Sequence, residues 1–416
     1  MHTSKIWALE AEMATQTGYK ASELGMIPLD WDIVEFEEIC QIRKQKVNPL
    51  FQSGEFCVEL EHLEPETGLL LGNTVTKPNS SIKTVFQNGD VLFGKLRAYL
   101  RKYWLANQDG VCSTEIWAFV ATNKAINPFL FYVVQTEQFI KAASEAYGTH
   151  MPRSDWNVVK NYLLPLPPLP EQTAIATALS DTDALISSLQ TLIAKKQAVK
   201  LAAMQNLLSG KIRLPAFAQR PDGSLKTTRQ TELGCVPEDW EVLELGSVAF
   251  IKTGSKNNQD KKENGQYPFF VRSATVEQID TYSYDCEAIL IPGEGNIGSI
   301  FHYINGKFDA HQRVYVIRDF YNVIGKFVFF ALKQNFGKHA MENTVKATVD
   351  SLRLPTFQNF KFAIPKSTTE QTAIAQLLSD MDAEIEALEG RLKKTQSLKQ
   401  GMMQTLLTGK IRLPLE

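Results

Sequence analysis

The chain has 416 residues, of which 44% are hydrophobic and 22% charged, and its formal net charge is −2. This length suits two to four domains with their own cores, and the composition is that of an ordinary soluble globular protein. The charge balance excludes a uniformly basic nucleic-acid binder, although a neutral chain can still carry a local basic face. Because it has no apolar run of membrane-spanning length and no secretory signal, we expect a cytoplasmic protein.

Residues typical of metal or catalytic sites are scattered along the chain. The five cysteines lie far apart without a CxxC spacing, and the six histidines show no HExxH pattern. Neither a P-loop nor a nucleophile elbow is present. We therefore expect no metal, no catalytic residue and no cofactor in this chain, which favours a binding protein over an enzyme.

In chain order, an N-terminal segment (1–24) precedes a first domain, which we place at 25–165. Short β-branched and aromatic runs at 90–93 and 115–120 are bounded by turn residues, and an amphipathic stretch follows near 127–146. This mixture predicts an α+β domain. A proline-dense exit at 163–170 leads out of it.

A long helix follows in the segment 166–211, and a second long helix lies in 366–416. In both, apolar residues recur at alternating spacings of four and three, which is the heptad seam of a coiled coil. Pro170 begins the first helix, Thr368 with Gln371 resembles a capping box for the second, and Gly210 and Gly409 end them. The predicted helix-pairing positions are Ile175, Leu179, Ile186, Leu189 and Ile193, and Ile374, Leu378, Met381, Ile385, Leu388 and Leu392.

Between the helices, a polar linker (212–234) leads to a second α+β domain at 235–365. Its strand runs lie at 288–292 and 313–317, and a helical stretch lies near 322–339. Residues 293–298 fit the GxGxxG pattern of dinucleotide-binding turns. A strand rather than a helix is expected to follow them, so we favour a turn that presents backbone amides.

The two halves are a repeat. Residues 171–215 align with 370–414 at an offset of 199 with 26 of 45 positions identical, and 23–31 match 232–240 at an offset of 209. Residues 89–120 match 287–318 at an offset of 198 in their hydrophobic positions only. Each half thus combines a preserved segment with a varied one, which suggests a target with two similar but non-identical parts.

The two helices are expected to pair with each other, because each alone would expose its seam. We favour antiparallel pairing, which relates the two halves by an approximate two-fold axis. The alternative is that each helix packs only on its own domain.

Basic and aromatic residues alternate in 95–104, and polar-basic clusters lie at 252–262 and 311–313 and around residues 338, 346 and 353. Arginine and glutamine can read base edges bidentately, and lysine and backbone amides hold phosphates. Taken alone, each cluster is more often a solvated face. Their equivalent places in both halves favour nucleic-acid binding.

The combined motifs resemble the specificity subunit of type I restriction–modification systems. They are PPLPEQ before the first helix, LLSGKIRL after it, ELG-x-(I/V)-P-x-DW at the start of each half, and GDVLFGKLR with CSTE in the first domain. The resemblance covers residues 20–412. It implies two target-recognition domains that each read half of a split site on double-stranded DNA, and paired helices that separate them. It also implies docking of two methyltransferase subunits, which bind S-adenosylmethionine, followed by motor-nuclease subunits, with no active site in this chain.

The resemblance and the basic clusters together suggest DNA-contacting residues in each domain. In the first domain they are Lys95, Arg97, Tyr99, Arg101, Lys102, Thr149, His150 and Arg153, and in the second Asn296, His311, Gln312, Arg313, Thr344 and Lys346. Because the two domains differ at these places, we expect different half-sites. Two other functions remain open: a duplicated coiled-coil scaffold that binds proteins, and a nucleotide-binding enzyme built on the glycine motif.

Overall fold

The structure is a computed structural model that describes residues 18–48, 54–78, 81–145, 152–344 and 351–414. Its contacts divide the chain into two compact units. Unit 1 comprises residues 1–189 and 391–416, and unit 2 comprises residues 190–390. Each unit therefore takes part of both long helices. The sequential boundaries given above stay a prediction.

Unit 1 is built around two sheets and two strand pairs. Their strands are β1 (Tyr19–Ser22), β2 (Gly25–Pro28), β3 (Asp32–Glu35), β4 (Cys40–Ile42), β5 (Lys46–Val47), β6 (Phe56–Val58), β7 (Thr74–Val75), β8 (Lys83–Phe86), β9 (Val91–Gly94), β10 (Tyr103–Leu105), β11 (Gly110–Ser113), β12 (Ile116–Ala121) and β13 (Leu163–Leu166). The helices are α1 (Phe36–Ile39), α2 (Asn127–Val133), α3 (Glu137–Ser144), α4 (Trp156–Val159) and the long α5 (Leu169–Leu207).

The sheets of unit 1 run in the orders β10-β9-β12-β4 and β5-β8-β11-β6-β7, with β1-β2 and β13-β3 as separate pairs. Phe93, Phe119 and Phe139 are fully buried. Phe93 packs against the rings of Phe119 and Phe139, and Phe36 packs against the same two rings. Burial of these aromatic side chains stabilises this core. It fixes β9 and β12 side by side.

Unit 2 contains a six-stranded sheet and two strand pairs. Its strands are β14 (Thr228–Thr231), β15 (Gly234–Pro237), β16 (Trp240–Glu244), β17 (Phe250–Thr253), β18 (Tyr267–Phe270), β19 (Glu277–Ile279), β20 (Tyr284–Pro292), β21 (His302–Ala310), β22 (Val314–Arg318) and β23 (Lys361–Pro365). Its helices are α6 (Pro215–Ala218), α7 (Leu245–Val248), α8 (Gly325–Glu342), α9 (Leu354–Gln358) and the long α10 (Thr368–Leu406).

The large sheet of unit 2 runs β17-β22-β20-β21-β18-β19, and β14-β15 and β16-β23 form the pairs. The predicted strands at 288–292 and 313–317 are the centre of this sheet. The glycine-rich segment 293–298 is a turn that leads into strand β21, so the expected absence of a helix there is confirmed.

Strand registers repeat between the units at the offsets seen in the sequence. Trp117 pairs with Phe93 across β12 and β9, and Tyr315 pairs with Ile291 across β22 and β20, which is a shift of 198 on both strands. Since a slip of one residue would turn every side chain to the opposite face, this agreement defines equivalent positions in the two units.

Within each unit the long helices run antiparallel. In unit 2, Lys196 contacts Glu384, and Lys200, later in its helix, contacts Asp382, earlier in the other. In unit 1, Thr182 contacts Met402, and the following Asp183 lies 2.6 Å from Lys399, which is earlier in the other helix. The predicted fold class is confirmed: two similar α+β domains with antiparallel long helices and an internal repeat. Ile175 and Leu179 pack into the unit 1 core, as Ile374 and Leu378 pack into that of unit 2.

The remaining predicted pairing positions vary in burial. Leu189, Ile193 and Ile385 are buried, and Ile186, Met381, Leu388 and Leu392 are half-buried.

Two details of the helices differ from expectation. Val199 and Leu398, apolar residues that follow the predicted pairing positions in the two long helices, are 47% and 59% exposed, because the seam passes through the neighbouring Lys200 and Lys399. The prediction of a capping box formed by Thr368 and Gln371 is also wrong. Gln371 accepts a hydrogen bond from the Ile324 N–H and donates one to the Pro365 carbonyl instead.

Candidate DNA interface

Three chain segments meet at the end of β9 in unit 1. The Lys95 N–H donates to the Glu115 carbonyl (3.0 Å), and the Ser154 N–H donates to the Lys95 carbonyl (2.9 Å). Leu96 and Arg153 form an antiparallel bridge. We call this arrangement of residues 95–97, 113–115 and 152–154 platform 1.

Unit 2 has the same arrangement after β20. The Gly293 N–H donates to the Arg313 carbonyl (2.8 Å), the Leu352 N–H donates to the Gly293 carbonyl (2.8 Å), and Glu294 bridges Ser351. Every partner is shifted by 198 from its counterpart in unit 1. We call residues 293–295, 311–313 and 351–352 platform 2.

The side chains on the two platforms form different ion pairs. On platform 1, Arg153 Nε lies 2.9 Å from Glu115 Oε2. On platform 2, Glu294 contacts Arg313 Nη1 at 3.0 Å and Arg272 Nη1 at 3.4 Å. The position held by the carboxylate Glu115 in unit 1 is held by the guanidinium of Arg313 in unit 2. The backbone is therefore shared, and the charges are rearranged.

The predicted residues Lys95, Arg97 and Tyr99 lie on or beside platform 1. Lys95 is half-buried, Arg97 is exposed, and Tyr99 is 54% exposed. Arg97 has a positive φ of 55°, and its equivalent in unit 2 is Gly295, with φ 86°. A non-glycine residue in this conformation costs roughly 1–2 kcal/mol. The strained position thus carries a cationic side chain where glycine would be easier to accommodate.

Arg101 and Lys102, in contrast, are engaged within the domain. Arg101 forms an ion pair with Glu137 and lies 3.8 Å from Glu66. Lys102 Nζ donates to the Leu60 carbonyl at 2.6 Å. Both side chains are partly buried, so the structure places them as internal connectors rather than on platform 1.

In unit 2 the predicted residues divide in the same way. Gln312 and Arg313 are exposed on platform 2, and Asn296 is exposed just beyond it. His311 is 7% exposed, and its Nδ1 accepts a hydrogen bond from the Arg313 N–H. Burial first, and then the charges of Arg272 and Arg313, lower the pKa of the His311 imidazole, which favours its neutral form. His311 therefore shapes the turn.

Thr344 is half-buried and donates to the Ser351 carbonyl at 3.4 Å, beside platform 2. Thr149, His150 and Lys346 lie outside the described residues.

A cluster of charged residues around a buried glutamate attaches each domain to the start of a long helix. In unit 1, Arg412 binds both oxygens of Glu171 (2.6 and 3.0 Å) and both oxygens of Asp30 (2.8 Å each). Glu171 is completely buried and also accepts a hydrogen bond from Trp31 Nε1 at 2.9 Å. We call residues 30, 31, 171 and 412 clamp 1.

Clamp 2 in unit 2 consists of Asp239, Trp240, Glu370 and Arg213. Arg213 binds Glu370 twice at 2.7 Å and Asp239 at 2.8 and 3.1 Å. Burial alone would raise the pKa of the Asp239 carboxyl, but hydrogen bonds from Arg213 and Lys226 outweigh it and lower the pKa to about 2. The clamps hold the domains on their helices and leave the platforms free to vary.

A family model for the type I restriction modification DNA specificity domain matches residues 28–198 and 237–396, one match over each half of the repeat. The chain belongs to this family. It is a DNA-recognition subunit of a type I restriction–modification system, and the family resemblance seen in the sequence is confirmed. The matches are to DNA-specificity proteins, so the protein-binding scaffold is not favoured. Among the described residues, no helix is long and apolar enough to cross a membrane.

Curated relatives agree with this membership. The chain is 34% identical over 175 residues to the EcoDI specificity subunit of Escherichia coli, covering 42% of this chain and 38% of that one. It is 26% identical over 422 residues to the MjaVIII specificity subunit of Methanocaldococcus jannaschii, covering 93% and 94%. The chain thus spans well under half of the first relative and nearly all of the second.

Solved structures show the same fold. The specificity subunit of the type I system from M. genitalium is 16% identical with a TM-score of 0.62, covering 91% of this chain and 96% of that one. A chain from a structure describing complex assembly and conformational transition of the type I system is 19% identical with a TM-score of 0.53, covering 92% and 99%.

Sequence reasoning missed the acidic members of both platforms and Arg272. Glu115 stands inside the CSTE run, and Glu294 inside the glycine-rich run, where neither was selected for DNA contact. The alignment at an offset of 198 contained the signal, because a carboxylate and a guanidinium occupy equivalent positions at 115 and 313. The repeat did not reveal Arg272, because this residue follows β18, outside the aligned segments, and reaches Glu294 from there.

Proposed function

We propose that the two units each read one half of a split DNA sequence, unit 1 through platform 1 and unit 2 through platform 2. The observation that carries this proposal is the shared backbone geometry of the platforms with rearranged charges. The shared backbone places side chains at equivalent positions in the two units. Different side chains at those positions bind different base edges. Two such readers on one chain suit two different half-sites.

Under this proposal the chain has no catalytic role. Two methyltransferase subunits that bind S-adenosylmethionine perform the modification, and motor-nuclease subunits perform the cleavage. The near-neutral charge of the chain fits an assembly in which partner subunits supply much of the phosphate binding. The role of the long helices as a spacer between half-sites stays a prediction.

Repeated exposed apolar residues support docking of two copies of one partner. Leu24 and Leu233 at the hairpin turns are 46% and 47% exposed, and Ile411 and Ile212 after the long helices are 55% and 57% exposed. Single exposed apolar residues are ordinary. Matched exposure at two repeated positions, in the preserved rather than the varied segments, is what two identical partners would use.

The proposed docking is tested with Leu24→Asp and Leu233→Asp, each alone and together, by native mass spectrometry of the complex with its methyltransferase. Each single change is expected to leave one bound methyltransferase, and the double change none. Full occupancy in the double variant would refute this docking surface.

The reading of DNA is tested by mapping methylated bases in cells that contain the modification subunits with and without this chain. We expect methylation at one split sequence, with two defined parts and an undefined gap, only when the chain is present. Methylation that ignores sequence, or that does not need the chain, would refute the proposed function.

A further inference from the structure

In the ion pairs of both platforms, the arginine side chain is more exposed to solvent than the glutamate side chain. Arg153 is 50% exposed and its partner Glu115 is 28% exposed. On platform 2, Arg313 and Arg272 are 56% and 53% exposed, and Glu294 between them is 22% exposed. In both units the cation therefore presents the more accessible surface.

Stability gives little reason for these pairs. Exposed ion pairs contribute little to the free energy of folding, because solvent screens the charges and the long side chains lose freedom. Each platform nevertheless carries an arginine–glutamate pair, built from different positions of the shared backbone, and this is better explained by what the guanidinium groups can bind.

The contact with Glu115 orients Arg153 in a specific way. The carboxylate holds Nε, and among the described residues no hydrogen bond uses the two terminal nitrogens. Those nitrogens form the planar fork that binds the O6 and N7 acceptors of guanine in the major groove. On platform 2, Glu294 holds one terminal nitrogen of each arginine, so each keeps further N–H donors for the same acceptors.

We infer that Arg153 reads a guanine in the first half-site and that Arg313 with Arg272 reads a guanine in the second. Glu115 and Glu294 are positioning residues that fix the guanidinium planes. Each half-site accordingly contains at least one G·C pair. This inference rests on the proposed function, since it names the bases that the platforms recognise.

Arginine and lysine differ in how they bind guanine and phosphate, which separates the two kinds of contact. A phosphate contact needs only positive charge, which lysine also supplies as a point charge. A lysine ammonium can also donate to guanine O6 and N7, but it lacks the rigid planar fork that the carboxylate orients, so it discriminates guanine less sharply. Arg153→Lys therefore distinguishes the two, because it keeps the charge and removes the geometry.

The experiment uses the methyltransferase complex of the full chain and a DNA library randomised in both half-sites, with methylated molecules sequenced. Arg153→Ala and Arg153→Lys are each expected to reduce discrimination for one guanine in the first half-site roughly tenfold to hundredfold. The second half-site is expected to stay unchanged, which also shows that the variant chain is folded. Arg313→Ala with Arg272→Ala should give the reverse pattern.

Two further variants sharpen the result. Glu115→Gln keeps the shape and removes the charge, so it should weaken the same guanine preference less than Arg153→Ala does. Lys124→Ala is the matched control, because Lys124 forms an ion pair of similar exposure with Glu38 away from the platforms. It is expected to change neither half-site.

Three results would overturn the inference. They are an unchanged first half-site in both Arg153 variants, full discrimination in Arg153→Lys with a loss only in Arg153→Ala, and an equal relaxation in Lys124→Ala. If the wild-type complex itself yields no split sequence, the proposed function fails instead. A defined wild-type sequence with unchanged variants overturns the guanine reading alone.

Discussion

Unit 1 and unit 2 build the same clamp and different platforms. In both clamps one arginine binds two carboxylates, and a tryptophan stands at the corresponding position. Trp31 donates a hydrogen bond to Glu171, whereas the ring of Trp240 lies against the Arg213 guanidinium. On the platforms, the backbone hydrogen bonds coincide, but Arg313 stands at the position of Glu115, and its partner Glu294 stands at the position of Leu96. The repeat therefore preserves the clamps, which hold each domain on its helix, and varies the side chains that the platforms expose.

The largest expected effect on stability comes from the clamps. Arg213→Met leaves the buried Glu370, which is 2% exposed, without a counter-charge. Loss of a buried partner costs about 3–5 kcal/mol. Arg412→Met should cost less, about 1–3 kcal/mol, because Arg412 is 35% exposed and Trp31 still donates to Glu171.

Chemical denaturation combined with hydrogen exchange of each unit measures these two losses. Lys124→Met serves as the exposed control and should change the free energy of unfolding by less than about 1 kcal/mol. Equal, small losses at both clamps would contradict the assigned roles.

A smaller difference is expected at the helix-pairing ion pairs. Asp382 binds Lys200, and Lys326 and Lys333 lie near it with pKa values lowered chiefly by burial. Asp382→Asn leaves three neighbouring ammonium groups and should cost about 2–3 kcal/mol of unit 2 stability.

The equivalent Asp183→Asn in unit 1 leaves Lys399 near Gln135 Oε1 and should cost about 1 kcal/mol. Lowered lysine pKa values mean that the unfolded chain binds more protons, so the loss in Asp382→Asn should shrink as pH rises. Denaturation between pH 7 and pH 10 checks this, and a loss that grows with pH would contradict it.

Acid should weaken unit 2 through Asp239. Its pKa is about 2 in the folded chain against an ordinary value of 3.8, so its contribution is complete above pH 4 and is lost as pH falls towards 2. After allowance for solvent screening we expect about 1 kcal/mol. Asp239→Asn should remove this part of the acid dependence in an unfolding titration. An unchanged acid profile would show that the carboxyl is not held by Arg213 and Lys226.

The smallest effect concerns backbone strain on the platforms. Arg97→Gly should stabilise unit 1 by about 0.5–1 kcal/mol, because glycine adopts the positive φ without a steric cost. Gly295→Ala at the equivalent position should destabilise unit 2 by a similar amount. Thermal unfolding of both variants measures the pair, and effects of the same sign would contradict the equivalence.

The repeat and the local patterns predicted much of the fold. Heptad spacing gave both long helices, whose observed length is 39 residues each. Alternating runs gave the central strands of each unit. These features depend on residues close together in sequence, which is why periodicity reveals them.

The site was harder to predict because its segments are distant in sequence. Glu115 and Arg153 are 38 residues apart, and Arg272 and Glu294 are 22 apart. No local pattern shows that such segments meet. The basic run at 95–104 also mixed exposed Arg97 with Arg101 and Lys102, whose partners lie elsewhere in the domain.

Replacement of one domain determines whether the two units read DNA separately. Residues 25–165 are exchanged for the corresponding segment of another family member, and methylated sequences are mapped for both chains in the presence of the same methyltransferase. If the two units are separate readers, one half-site changes and the other is retained. If both half-sites change together, or neither does, the two units are not separate readers.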